Sequence, residues 1–529
     1  MKKPLCLVCL SLILIGALCL PIGQTQQNLD SSDVLIVDNE GDGDFRTISA
    51  ALNHAQSGDH IKIYSGQYNE TLNITTNNLI IEGIEHELGS GTDNNYPTLN
   101  GQMTGSIITI HAKGCQISGL ILTNSGHQIF DAGIKIYNND NIIQGNGIWG
   151  NHYGILLNNC SGTIIKGNAI IENQIDGIFL GYTWDNTIEE NILKENGFQG
   201  IFLIEVSTTI INKNTIYLND RDGIQLRSLC TQNTIIDNEI HTNGIDGIKI
   251  WEKDVSSNLI KNNQINNNEW NGIHIMEGYD NTCCENDITL NLYNGIHLGS
   301  AYENYIIRNQ ITDNKNNGIQ CFSQECQHNK IYYNNINDGV VDYGTNQWDD
   351  GIGNGGNYWS YYTGQDEDDD GIGDIPQTIE GNGNKDDYPF IEPFSPPQIP
   401  NTPLGLVMGS TGTMYTYSTT TTDSSFNMVQ YGWDWDGDFI VDEWSKFYKS
   451  QEPCDMIYQW DETGTYAIRV KAMDNYGFQS DWSDPLHVSM PKTHDHWMYE
   501  IMNQILQWFK QNIRSFFIDL FAFIDINHS

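Results

Sequence analysis

The chain has 529 residues, and its 67 Asp and Glu against 25 Lys and Arg give a formal charge of −42. That length allows two or three domains. So acidic a balance excludes free nucleic acid as a partner, because phosphate binding needs clustered Lys and Arg; cations and neutral or cationic glycans suit it better.

In chain order, Lys2 and Lys3 precede a nearly unbroken apolar run from Leu5 to Leu20. This predicts a signal peptide over residues 1–24 and an exported protein, secreted or held at the cell surface or envelope. The run is short for a stable membrane span. Leu18 ahead of Cys19 is unsuited to lipoprotein processing.

From Gly133 to Gly318 a Gly-Ile dipeptide heads nine successive units, at intervals of 21 to 25 residues. A fixed period of that size predicts a solenoid, whose function lies on a long stacked surface. Each unit reads Gly-Ile-x-Leu, then Asn-x-Ile-x-x-Asn-x-Ile-x-x-Asn. One Asn column runs Asn146, Asn168, Asn191, Asn214, Asn238, Asn263, Asn286, Asn309 and Asn334, and a second runs from Asn151 to Asn314. Apolar residues recur at spacings of two or five, which means short strands and bends, not helix. Equivalent residues should therefore stack about 4.8 Å apart, with Ile and Leu inward. The Asn columns are expected at bends, where Asn tolerates the left-handed backbone and its amide can hydrogen-bond the neighbours above and below.

The opening 37–48, Ala50-Ala51-Leu52 and Gly58-Asp59-His60-Ile61-Lys62-Ile63 together resemble the first coil and capping helix of pectin esterases and NosD-like chains. Gly356-Asn357-Tyr358-Trp359-Ser360, residues 366–374 and Asp387-Tyr388-Pro389 are similar to the closing segment of archaeal NosD-like proteins. With the repeat, residues 33–392 thus resemble the right-handed parallel β-helix proteins, the pectin-lyase-like superfamily of polysaccharide lyases, epimerases and hydrolases. The fold class expected is all-β.

Eight cysteines follow the signal, none at zinc spacing. They read as buried small hydrophobes, with a Cys321–Cys326 bridge as the alternative.

Pro393, Pro396, Pro397, Pro400 and Pro403 mark a stiff linker over 393–403. Short alternating runs over 404–491 suggest a β-sandwich. Tyr431-Gly432-Trp433-Asp434-Trp435-Asp436-Gly437-Asp438, Gly464-Thr465-Tyr466 and Lys471-Ala472-Met473-Asp474-Asn475-Tyr476-Gly477 resemble a divergent polycystic-kidney-disease-type (PKD) domain. That resemblance implies an immunoglobulin-like sandwich used for adhesion or spacing on archaeal surface proteins. Over 493–529 the apolar residues from Trp497 to Ile524 fall on one helical face, which predicts an amphipathic helix lying on the cell envelope, a membrane surface or a protein partner.

Three patterns can carry chemistry. Asp366, Asp368, Asp370 and Asp374 have the ligand spacing of a calcium loop, and Asp434, Asp436, Asp438 and Asp442 have a similar one, so structural Ca2+ is expected. The third is the outward column of Gly-Ile-x-Leu: Lys135, Leu156, Phe179, Phe202, Gln225, Lys249, His274, His297 and Gln320. Phe202, Arg227, Trp251 and His274 are the expected carbohydrate contacts, for a polysaccharide or glycoprotein glycan. Were the chain a lyase or glycoside hydrolase, Lys249, His274, His297, Glu252 and Glu277 would be its catalytic set, the two Glu being neighbours whose mutual repulsion separates an acid from a base. The sequence motifs of polygalacturonases, pectin esterases and pectate lyases are absent. NosD-like proteins assist copper-enzyme maturation, but this chain lacks a His or Met cluster typical of a copper site, and His274, Met276 and His297 are a thin substitute. Carbohydrate binding or surface interaction is the leading expectation; an enzyme acting on an acidic glycan and a purely architectural envelope component are the alternatives.

Overall fold

A computed structural model describes residues 33–490 except 41, 87, 89–94 and 424–427. The predicted signal and C-terminal helix lie outside the described residues.

Residues 34–381 wind into a parallel β-helix of three sheets with 14, 13 and 13 strands. Successive coils pair in register: Ile224–Arg227 on Ile248–Trp251, that strand on Ile273–Met276, and that on Ile296–Gly299. The repeated Ile and Leu positions, such as Ile240, Ile265 and Ile288, are fully buried in one continuous core. In-register stacking makes each coil cover the apolar edge of the last, so stability accumulates by nearest-neighbour contact.

Both ends of the core are closed. The helix Ile48–His54, the only one among the described residues, buries Ile48 and Ala51 over the first coil. Thr47 caps it, and the Glu70 carboxylate accepts the Ile48 and Ser49 amides, each at 2.9 Å. At the far end Trp348 and Trp359 lie over the core with ring centres 5.8 Å apart. Each indole N–H donates to a buried carboxylate at 2.8 Å, Asp342 for Trp348 and Asp386 for Trp359.

The Asn columns form the expected ladders, but Asn is not the left-handed residue. The left-handed residue is the one before each ladder Asn. In the first column these are Gly145, Gly167, Glu190, Lys213, Asp237, Asn262, Glu285, Arg308 and Tyr333. The Asn side chain points into the turn and supports it. Asn238 donates its amide N–H to Asn263 Oδ1 at 3.0 Å and its Nδ2 to the same oxygen and to the Ile211 carbonyl. A third ladder, Asn233, Asn258, Asn281, Asn304 and Asn329, occupies the remaining corner. All eight cysteines are buried and free, so Cys321 and Cys326 do not bridge.

Residues 393–403 are not a free spacer. The Asn335 side chain exchanges two 2.8 Å hydrogen bonds with the Phe394 backbone, and the Gln398 and Asn401 amides donate to the Thr422 and Thr420 carbonyls. Beyond, Met414–Thr419 pairs antiparallel with Cys454–Gln459. Met428–Asp434 pairs antiparallel with Gly464–Asp474, which also pairs with Leu486–Met490. The two sheets share a core of Tyr417, Trp433, Trp435, Trp460 and Val470. This unit rests against the last coils: the Tyr476 ring lies 5.1 to 5.5 Å from Tyr333, Phe390 and Phe394, and Phe478 stacks on Phe394 at 5.2 Å.

Candidate functional site

The sheet that carries Gly-Ile-x-Leu has an outward face with two different halves. Toward the N-terminal end, Leu156 and Phe179 are buried, not displayed as their column position predicted, because Tyr153, Phe202 and Ile204 pack over them. Phe202 lies 5.7 Å from Phe179 and belongs to this apolar patch. The expected carbohydrate contact at Phe202 is therefore a half-buried ring held by its neighbours.

From Gln199 onward the face becomes a polar network built at the repeated glycine. A Cβ on Gly247 would stand 2.6 Å from Ile265 Cγ2 and 2.7 Å from the Gly272 carbonyl, so the coil can pass close to the next only as glycine. That approach buries the residue before the glycine in six successive coils: Asp176, Gln199, Asp222, Asp246, Asn271 and Asn294 are all at most 5% exposed. Asp246 is the hub. Its Oδ1 accepts the Asn271 amide at 3.0 Å and Nδ2 at 2.7 Å, and its Oδ2 meets His274 Nδ1 at 2.8 Å and Lys249 Nζ at 3.3 Å. Asn271 passes the chain to Asn294, and Asn294 to Gln320, which also holds His297 Nδ1 at 3.0 Å. On the other side Gln199 donates to Gln225 at 2.7 Å and to Asp222 at 3.4 Å.

Burial dominates the electrostatics here. It pushes Asp176 up to about 7, and Asp222 up to about 6 with help from the neighbouring Asp246 charge. Asp246 is driven upward by burial too, but the His274 and Lys249 contacts outweigh it and hold the carboxyl below its usual range. Burial and the adjacent His274 lower His297 to about 4, so His297 is neutral near pH 7.

In the expected carboxylate pair, Glu252 is engaged by other partners. Glu252 receives Arg227 Nε and Ser228 Oγ, each at 2.6 Å, and these bonds lower its pKa. Glu252 and Glu277 both sit at left-handed turns just past their strands, and Glu277 is exposed. A bound, ionised Glu252 is not a proton donor. Trp251, by contrast, stands exposed between two cations, with Lys249 Nζ 5.0 Å and the Arg227 guanidinium 5.6 Å from its ring. His274 and His297 meet edge to face at 4.7 Å, and His297 lies 5.8 Å from the exposed Phe322. Trp270 and Tyr293 add an exposed aromatic pair on the turn preceding this strand.

Sequence reasoning thus found the outward column and missed the carboxylates beneath it. The signal was present: Asp-Gly-Ile recurs at 176, 222 and 246, where other coils have Ala, Tyr, Gln or Asn before glycine.

In the two acidic loops the structure gathers three of each four candidates. Carboxylate oxygens of Asp366, Asp368 and Asp374 lie within 4.8 Å of one another, as do those of Asp434, Asp436 and Asp442. Asp370 and Asp438 lie outside these clusters and accept the amides of Ile372 and Ile440 at 2.8 Å.

These features define a class, the right-handed parallel β-helix proteins. Residues 132–282 match the family described as right handed beta helix region, and residues 246–364 match that described as periplasmic copper-binding protein (NosD). No curated protein matches the chain significantly. Among solved structures, the PKD domain of an M14-like peptidase from a Thermoplasmatales archaeon is 40% identical, covering 18% of this chain and 98% of that one, with a TM-score of 0.17. The A-module of a mannuronan C-5 epimerase from Azotobacter vinelandii is 15% identical over 59% of this chain and 93% of its own, with a TM-score of 0.49. A DFA-IIIase from Arthrobacter chlorophenolicus, in complex with DFA-III, is 13% identical over 59% and 97%, with a TM-score of 0.46. No helix among the described residues is long and apolar enough to cross a membrane.

Proposed function

We propose that this is an exported, envelope-facing protein that binds a neutral carbohydrate along the strip from Arg227 to Phe322. The observation that carries the reading is the exposed Trp251 ring flanked by Lys249 and Arg227. An indole face is a platform for the apolar face of a sugar ring, and its charged neighbours offer donors and acceptors to hydroxyls. Both cations are already neutralised, Arg227 by Glu252 and Lys249 by Asp246. The strip therefore has no spare positive charge to attract a polyanion toward a chain of net charge −42.

A second reading, proton abstraction from a uronate, draws on one observation: Asp246 orients His274 through Nδ1, while Nε2 is buried without a partner. One experiment separates the two. The full chain is screened against neutral and acidic oligosaccharides, with product absorbance and reducing ends followed in parallel. The binding reading expects retention of neutral glycans, at least about tenfold weaker for Trp251→Ala, and no product. Retention unaffected by Trp251→Ala rejects the strip. Unsaturated product lost in His274→Ala establishes the enzyme instead.

We further propose that the two acidic loops hold structural calcium. Their gathered oxygens supply the hard donors such an ion requires.

A further inference from the structure

The family matched over residues 246–364 is described as copper-binding, so the donors within that span can be tested for fit. Imidazole nitrogen and thioether sulfur are the neutral donors that favour copper, and thioether selects its reduced form. They occur together on adjacent coils here. His274 pairs in register with His297, and Met276 with Gly299. Gly299 opens the space between them: a Cβ at that position would lie 2.8 Å from Met276 Sδ and 3.6 Å from His297 Nε2. The sulfur and that nitrogen thus flank one point on the outward face. His274 Nε2 is buried and has no hydrogen-bond partner. Each imidazole is already fixed through its other nitrogen, His274 by Asp246 at 2.8 Å and His297 by Gln320 at 3.0 Å. Such outer partners are what orient metal-binding histidines and set the tautomer that leaves Nε2 free.

We infer that His274 Nε2, His297 Nε2 and Met276 Sδ form a copper(I) site on the outer face of the β-helix. The charge state follows from the donors. None of the three carries a charge, and thioether sulfur is the soft ligand that selects copper(I) over zinc and copper(II). Gly299 is part of the site because any side chain there would occupy the space above Met276. The site lies within the strip proposed for carbohydrate, but it rests on the His274, Met276 and His297 donors and not on the Trp251 ring.

The test is competition by the purified full chain, under reducing and anaerobic conditions, against a chromophoric copper(I) chelator. Copper-edge X-ray absorption then identifies the ligands. The expected result is one tightly held ion with two nitrogen ligands and one thioether sulfur. Met276→Leu should remove the sulfur signal and, like His297→Gln, weaken binding at least about tenfold. Both substitutions are conservative: leucine replaces methionine in volume, and glutamine already fills the next position of the column at Gln320. Circular dichroism of each variant checks the fold. The inference is overturned if the chain fails to compete, if Met276→Leu binds equally well, if zinc binds as tightly, or if a His274→Asn, Met276→Leu double variant retains copper on its buried thiols.

Discussion

Single residues at the corners show how this fold tolerates a costly backbone. A non-glycine residue in the left-handed region loses about 1–2 kcal/mol relative to ordinary conformations. Glu190, Lys213, Leu218 and Arg308 all adopt it. Each is followed by a buried Asn whose side chain makes several hydrogen bonds, worth about 1 kcal/mol net apiece, and these offset the strain. The Asn columns were legible in the sequence. Which of two adjacent residues takes the unusual φ was not, because Asn has the local preference and the ladder overrides it. The same scale holds Asp176, buried and raised from an ordinary 3.8 to about 7, with Tyr153 and Arg221 as charged or titratable neighbours. Between pH 4 and 7 the folded state holds a proton that the unfolded state releases, so stability falls as pH rises through that window and is level above it. Asp176→Asn should remove this slope. Asn occupies the equivalent place at 271 and 294 and keeps an oxygen for the Gln199 amide. Denaturant unfolding should show the variant more stable by about 1–3 kcal/mol at pH 8 and equal to the parent near pH 4.

Among the elements, loops depart furthest from what spacing predicted. Strand register was readable from Gly-Ile alone, because a period-two pattern fixes which side chains face inward. The acidic loops were readable only in part: spacing gave four ligands, and the folded loops gather three of each four. Three crowded carboxylates repel without a cation. Burial and the Asp436 and Asp438 charges raise Asp434, and Asp370 raises Asp368. Calcium should therefore raise the thermal midpoint of the full chain, and differential scanning calorimetry with calcium or chelator measures it. Asp366→Asn and Asp434→Asn should each remove part of the increment; an unchanged midpoint on chelation rejects both loops. The buried carboxylate row eluded sequence reasoning for a related reason. Asp-Gly is an ordinary turn dipeptide, and only stacking reveals that Asp222 and Asp246 lie beneath the displayed column.

As a whole molecule, the chain holds its second β-rich unit against the rod and does not carry it on a stalk. Proline content suggested a stiff spacer, and such a composition does stiffen a segment. It cannot show that Phe394 is buried or that Tyr476 packs against Tyr333, Phe390 and Phe394, since those contacts join residues far apart in sequence. Tyr476→Ala should loosen the docking without unfolding either part. Small-angle X-ray scattering should then show a larger maximum dimension, with circular dichroism unchanged; an unaltered scattering profile would mean that this ring does not hold the two units together.

The corner residues have one more consequence. Their side chains are exposed at Glu190, Lys213 and Leu218, while the bend is enforced from behind by the buried amide that follows. Along one edge the occupants are Gly, Gly, Glu, Lys, Asp, Asn, Glu, Arg and Tyr. Shape and lettering are thus separated: evolution can rewrite an edge one rung at a time, altering what the rod meets while its architecture stays untouched.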